Sequence, residues 1–163
     1  MSRRSNLCLV CVRFISRLIE AVDLIDEILD VAQGKIDNVT VGRTDLSQSY
    51  FDSKTQLDSL FIFDLIERLS YKIQGSGLTL TVGGSLTSES IRLFQQRRDG
   101  LGNRVSSMET RKVVLPIEKM LEQEGALKES LHSEELYLRY KLECEAWLSR
   151  ADQERLTKLK TRF

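Results

Sequence analysis

From Leu7 onward, apolar residues return every three or four positions. Val10, Cys11, Phe14, Ile15, Leu18, Ile19, Val22, Ile25, Ile28, Leu29 and Ala32 share one half of a helical wheel, while Arg13, Ser16, Arg17, Glu20, Asp23, Glu27 and Asp30 take the other. This period predicts an amphipathic helix over 7–33, ended by Gly34 as C-cap. Residues 35–51 read as a connector with one short extended piece, Val39-Thr40-Val41, closed by Gly42. A second helix is expected over 54–74, with Asp52 or Ser53 as N-cap and Gly75 as its stop. Leu57, Leu60, Phe61, Ile62, Phe63, Leu65, Ile66, Leu69 and Ile73 wrap most of its wheel, so it either lies at the centre of the core or is partly covered by a partner.

The period then changes to two. Leu78-Thr79-Leu80-Thr81-Val82 alternates between Gly75-Ser76-Gly77 and Gly83-Gly84, as a strand does. The similar pieces at 39–42 and 80–83 are expected to pair as a small ribbon, which needs helices over one face to be stable. Helical spacing resumes from about Glu89 to Arg98, capped by Thr87 or Ser88 and ended by the cluster 99–103. It returns from about Arg104 to Glu124, where the only proline, Pro116, either kinks the helix or starts a new one after an extended Val113-Val114-Leu115. Gly125 breaks the chain, and Ser133 with Glu134 and Glu135 opens a last helix reaching about Leu159. That helix has a main stripe of Leu136, Tyr137, Tyr140, Cys144, Trp147, Leu148 and Ala151, and a second of Leu138, Leu142 and Ala146. Two apolar faces need two neighbours. The whole pattern predicts a mainly α fold: a single-domain bundle of about five helices spanning residues 1–163, with room for one short two-stranded β-ribbon. The first six residues are expected to lie outside it as a disordered N-terminus.

Composition adds little to this picture but limits it. With 41% hydrophobic and 29% charged residues the chain falls in the ordinary globular class. No apolar run approaches the roughly 18 residues that span a bilayer. The three cysteines cannot all pair within one chain, which favours a reducing, cytoplasmic compartment. Cys8 and Cys11 form a C-x-x-C without a second ligand pair, and Cys11 falls on the apolar stripe, so core packing is the expected role and no metal site is assigned. The first 19 residues hold Arg3, Arg4, Arg13 and Arg17 and no acid. That composition suits a mitochondrial import segment as well as the start of a structural helix.

Charge is balanced overall, 24 basic against 24 acidic residues, but not locally. Residues 20–64 carry ten acids and three bases, whereas 86–119 carry seven bases and four acids. The basic segment makes Arg92, Arg97, Arg98, Arg104, Arg111 and Lys112 candidate phosphate contacts for RNA or DNA. Neutralisation of the acidic first half by the basic middle accounts for the same counts, and on a wheel Arg92, Arg97 and Arg98 do not form one stripe.

Candidate chemistry is sparse. The loop Gly83-Gly84-Ser85, between a strand and a helix start, has the setting of an anion loop without a P-loop lysine or a dinucleotide fingerprint, and a plain glycine turn explains the same residues. His132 lacks an adjacent nucleophile motif. The pairs Glu134-Glu135 and Glu143/Glu145 fit solvated helix faces better than an acid–base dyad. No cofactor motif is present. Few convergent groups and two apolar-rich helices together point to a non-enzymatic, self-associating interaction or assembly subunit. Leu138, Leu142, Ala146 and Phe63 are the expected partner surface, with nucleic-acid binding as the alternative.

Overall fold

The computed structural model describes residues 18–162. The Cys8-x-x-Cys11 pair, the arginine-rich start and the first half of the expected 7–33 helix lie outside the described residues. What remains of that helix is two pieces, α1 (Leu18–Asp23) and α2 (Ile25–Ala32), joined at Leu24. Gly34 follows with a positive φ of 73°, as a helix-ending glycine does.

The fold is helix-rich, but it is not a bundle with a ribbon: four strands form one mixed sheet. β1 (Asn38–Gly42) and β2 (Thr79–Gly83) pair, as expected of the two similar pieces, with Val39 beside Leu80 and Gly42 beside Gly83. Their direction is parallel, however, and a parallel pair must be connected by a crossover rather than a turn. The crossover consists of α3 (Arg43–Phe51) and α4 (Leu60–Gly75). A second crossover, α5 (Ser88–Gln96) followed by one wide π-type turn at Arg98–Gly102, leads to β3 (Ser107–Glu109), which lies parallel to β2. β4 (Val114–Pro116) then returns antiparallel to β3. The segment read as helix from about 104 to 124 is therefore a hairpin followed by a short helix, α6 (Ile117–Glu122). Pro116 ends the strand and stands immediately before α6, where its missing N–H disturbs no helical bond. The last helix, α7, runs from Ala126 to Lys160 and starts well before Ser133.

One helix was missed and one boundary moved, each for a physical reason. The buried face of 43–51 is made of Arg43, Leu46 and Ser47, two of them polar, so α3 has no apolar signature. α4 begins at Leu60 because Ser59 is the residue whose side chain accepts the Ile62 N–H. The start of α5 was legible to within a residue, and Thr87 and Ser90 form a reciprocal capping box there.

Alternation in the strands sends Val41, Val82 and Met108 to one face, where they pack with Ile62, Ile66 and Ile73 of α4, and with Phe94 of α5, in one core. Burying each such side chain stabilises the fold by about 1.5–3 kcal/mol. The opposite face is polar: Asn38 donates from Nδ2 to Thr79 Oγ1 at 2.9 Å and to Thr81 Oγ1 at 3.0 Å. That face ends, at the carboxyl edge, in the row Gly42, Gly83 and Glu109.

Candidate functional site at the carboxyl edge of the parallel strands

The three parallel strands deliver the segments that follow them to the same edge. After β1 comes Gly42 with the first turn of α3, Arg43-Thr44-Asp45, after β2 the loop Gly83-Gly84-Ser85, and after β3 the turn Glu109-Thr110-Arg111-Lys112. A cavity of about 570 Å³ opens between them. Its polar end is lined by Thr44, Asp45, Gly84, Ser85, Glu109, Arg111 and Lys112; its other end is apolar, with Val22, Ile25, Val39 and Leu69. Glu134 and Leu138 of α7 complete the wall, and Lys112 Nζ lies 4.4 Å from the centre of the Tyr137 ring, which ties the β3–β4 loop to α7.

Registered residues of parallel strands face the same way, so the row Gly42, Gly83 and Glu109 points to one side of the sheet. The two glycines leave room that carboxylates occupy. Asp45 Oδ2 comes within 2.6 Å of where a Cβ on Gly42 would stand, and Glu109 Oε2 within 3.9 Å of the same point on Gly83. The two carboxylates thus stand over neighbouring columns of the sheet, beside the cationic pair Arg111-Lys112.

A buried polar network holds these loops in place. The Arg43 guanidinium is fully buried; Nη1 donates to Asp58 Oδ1 and Nη2 to the Gly84 carbonyl oxygen. Asp58 also accepts from Ser90 Oγ at 2.8 Å and from Thr87 Oγ1 at 3.3 Å. One carboxylate therefore links the loop after β1, the loop after β2 and the start of α5. Burial pulls the Arg43 guanidinium below its ordinary pKa, and the charge and hydrogen bond of Asp58 oppose that pull. Gly84, at a φ of +92°, packs so closely on the next loop that a Cβ there would stand 2.8 Å from both the N and Oγ1 of Thr44. Thr44 Oγ1 is itself buried at the cavity wall without a hydrogen-bond partner among the described residues.

The expected anion loop Gly83, Gly84 and Ser85 is thus part of the cavity, but the helix end behind it is already used. Thr87 Oγ1 caps the Ser90 N–H and Ser90 Oγ the Thr87 N–H, so an anion here would be held by Arg111 and Lys112 rather than by the α5 terminus. The other members of the basic segment are dispersed. Arg92 pairs with Glu89, Arg98 with Glu122, and Arg97 with Asp64 at 2.6 Å, while Arg104 stacks on Tyr71 with its Cζ 3.5 Å from the ring centre. Phe63, expected at a partner surface, is 1% exposed and packs against Phe94 at 4.9 Å between ring centroids. Leu138, Leu142 and Ala146 are exposed on α7. His132 is exposed too, 3.7 Å from Glu135.

Arg43, Thr44, Asp45, Asp58 and Glu109 were not singled out by sequence. The one signal that could have found the first three is a charged string, Gly42-Arg43-Thr44-Asp45, directly after an extended triplet. Among the described residues no group of three His, Cys, Asp or Glu is placed to hold a metal ion. Comparison of the chain with protein-family models, with curated proteins and with solved structures finds no match.

Proposed function

We propose that the protein binds a small anionic metabolite at this carboxyl edge, with Arg111 and Lys112 neutralising its carboxylate or phosphate and Asp45 and Glu109 facing its reactive end. The observation that carries the reading is the convergence of the segments after all three parallel strands on one cavity containing two carboxylates and two cations. In open α/β sheets ligands sit outside the carboxyl ends of the strands, where loops can vary without disturbing the core.

Calorimetric titration of the full chain tests it, using malonate and a phosphate monoester as probes, each with and without Mg²⁺. We expect saturable binding of one probe class, lost in the Arg111→Ala/Lys112→Ala double variant while the melting temperature stays close to that of the parent. If neither class binds under either condition, or if the double variant binds as well as the parent, the proposal fails.

A separate observation favours a second reading, that of a protein-contact element. Beyond Leu138 the helix α7 leaves the body of the fold, yet carries Tyr140, Leu142, Trp147, Leu148 and Leu156 exposed to solvent. Helices in proteins draw most of their stability from packing of an apolar face, and among the described residues nothing covers this one.

A further inference from the structure

Helix α7 has 35 residues and is therefore about 52 Å long. Its first turns are anchored: Ala126 and Ser130 are buried, and Tyr137 lies under Lys112. From Tyr140 on, it carries an apolar stripe of Tyr140, Cys144, Trp147, Leu148 and Ala151, with Tyr140 at 69% and Trp147 at 63% exposure. Such a stripe on a helix that leaves its own fold is a surface for another helix.

The charges beside the stripe say which helix. On the wheel, Lys141 and Asp152 flank it on one side, and Arg139, Glu143, Arg150 and Glu154 on the other. In an antiparallel pair, residues on the same flank of the two helices meet. Let a two-fold axis cross the helix between Ala146 and Trp147. Residue 141 then stands opposite 152, residue 143 opposite 150, and residue 139 opposite 154. All three are opposite-charge pairs, and the two-fold axis makes each occur twice. A parallel pair would instead lay the end with Arg155, Lys158 and Lys160 against its own copy, like charge against like.

We propose that a second copy of this chain covers α7, the two helices lying antiparallel with the axis between Ala146 and Trp147. The proposal rests on the protein-contact reading of α7 and adds the identity and register of the partner.

Light scattering of the full chain after size exclusion, together with quenching of the fluorescence of Trp147, the sole tryptophan, tests it. The expected result is a dimer, twice the 18.7 kDa chain, with Trp147 shielded from quencher. Lys141→Glu should raise the dissociation constant roughly tenfold, because two attractive pairs become repulsive. Adding Asp152→Lys should restore it. A monomer with freely quenched Trp147 overturns self-pairing and leaves α7 a contact surface for a different protein. A monomer with shielded Trp147 overturns both, since the chain then covers its own stripe. A dimer indifferent to Lys141→Glu, or not rescued by the double exchange, overturns the register.

Discussion

Arg43 shows how much of a site one side chain can hold. Its planar fork reaches a carboxylate on one side and the Gly84 carbonyl on the other, which a lysine's single ammonium cannot do in the same place. Arg43→Lys should lower unfolding stability by about 3 kcal/mol, as breaking a buried pair does, and this is readable as a shift of the urea midpoint with an unchanged slope. A change under about 0.5 kcal/mol, the range of ordinary surface substitutions, would show that the network does not hold the loops. The glycines of the second loop were legible in the sequence as punctuation after a strand. Asp45 and Glu109 were not, because 64 positions separate them and only the register of three strands brings Gly42, Gly83 and Glu109 into one row. Arg43 looked like any surface arginine, since nothing local reveals that Asp58 will meet it.

Elements were legible where one face alone decided them. α5, with its capping box and apolar side, stood almost where periodicity placed it. β3 did not, because a three-residue strand gives no alternation to read, and β4 was legible only as one of two alternatives, an extended Val113-Val114-Leu115 before a new helix. The spacing of residues 104–124 mimicked a helix for the same reason. On α7 the local charge pairs act at the element's own scale. Arg139, by hydrogen bond and then by charge, holds the Glu135 carboxyl below its ordinary range, with His132 adding to the effect. A depressed folded pKa contributes stability above the unfolded value of about 4.3 and loses it as pH falls through the lower folded value. Far-UV circular dichroism should therefore show the helix signal weakening on acidification through that window, and Glu135→Gln should flatten the change. An equal acid transition in the variant would remove Glu135 from the account.

For the whole molecule, the balanced net charge is resolved into contacts. Arg97 of the basic middle joins Asp64 of the acid-rich first half, Lys72 joins Asp26, and Arg43 joins Asp58 within the acid-rich stretch itself. Most of these pairs are exposed and contribute little each. Cohesion comes from the core between α4, α5 and the sheet, where Phe63 meets Phe94. Phe94→Ala should cost about 3–5 kcal/mol in urea unfolding, whereas raising the salt concentration should move stability by less than about 1 kcal/mol. The reverse ranking would mean that ion pairs, not packing, hold the halves together.

Pro116 has one more effect, through the side of β4 it occupies. Because the Ile117 N–H bonds inward to the Ser106 carbonyl oxygen at 3.1 Å, the nitrogen of the preceding proline faces outward and offers no donor to a further strand. β4 is also only three residues long, whereas β1, at the opposite margin, is five and among the described residues is paired on one side only. Among the described residues the sheet therefore has a growth polarity: it is terminated at β4, and β1 is the margin on which an incoming strand, whether a physiological addition or the first step of aggregation, would nucleate.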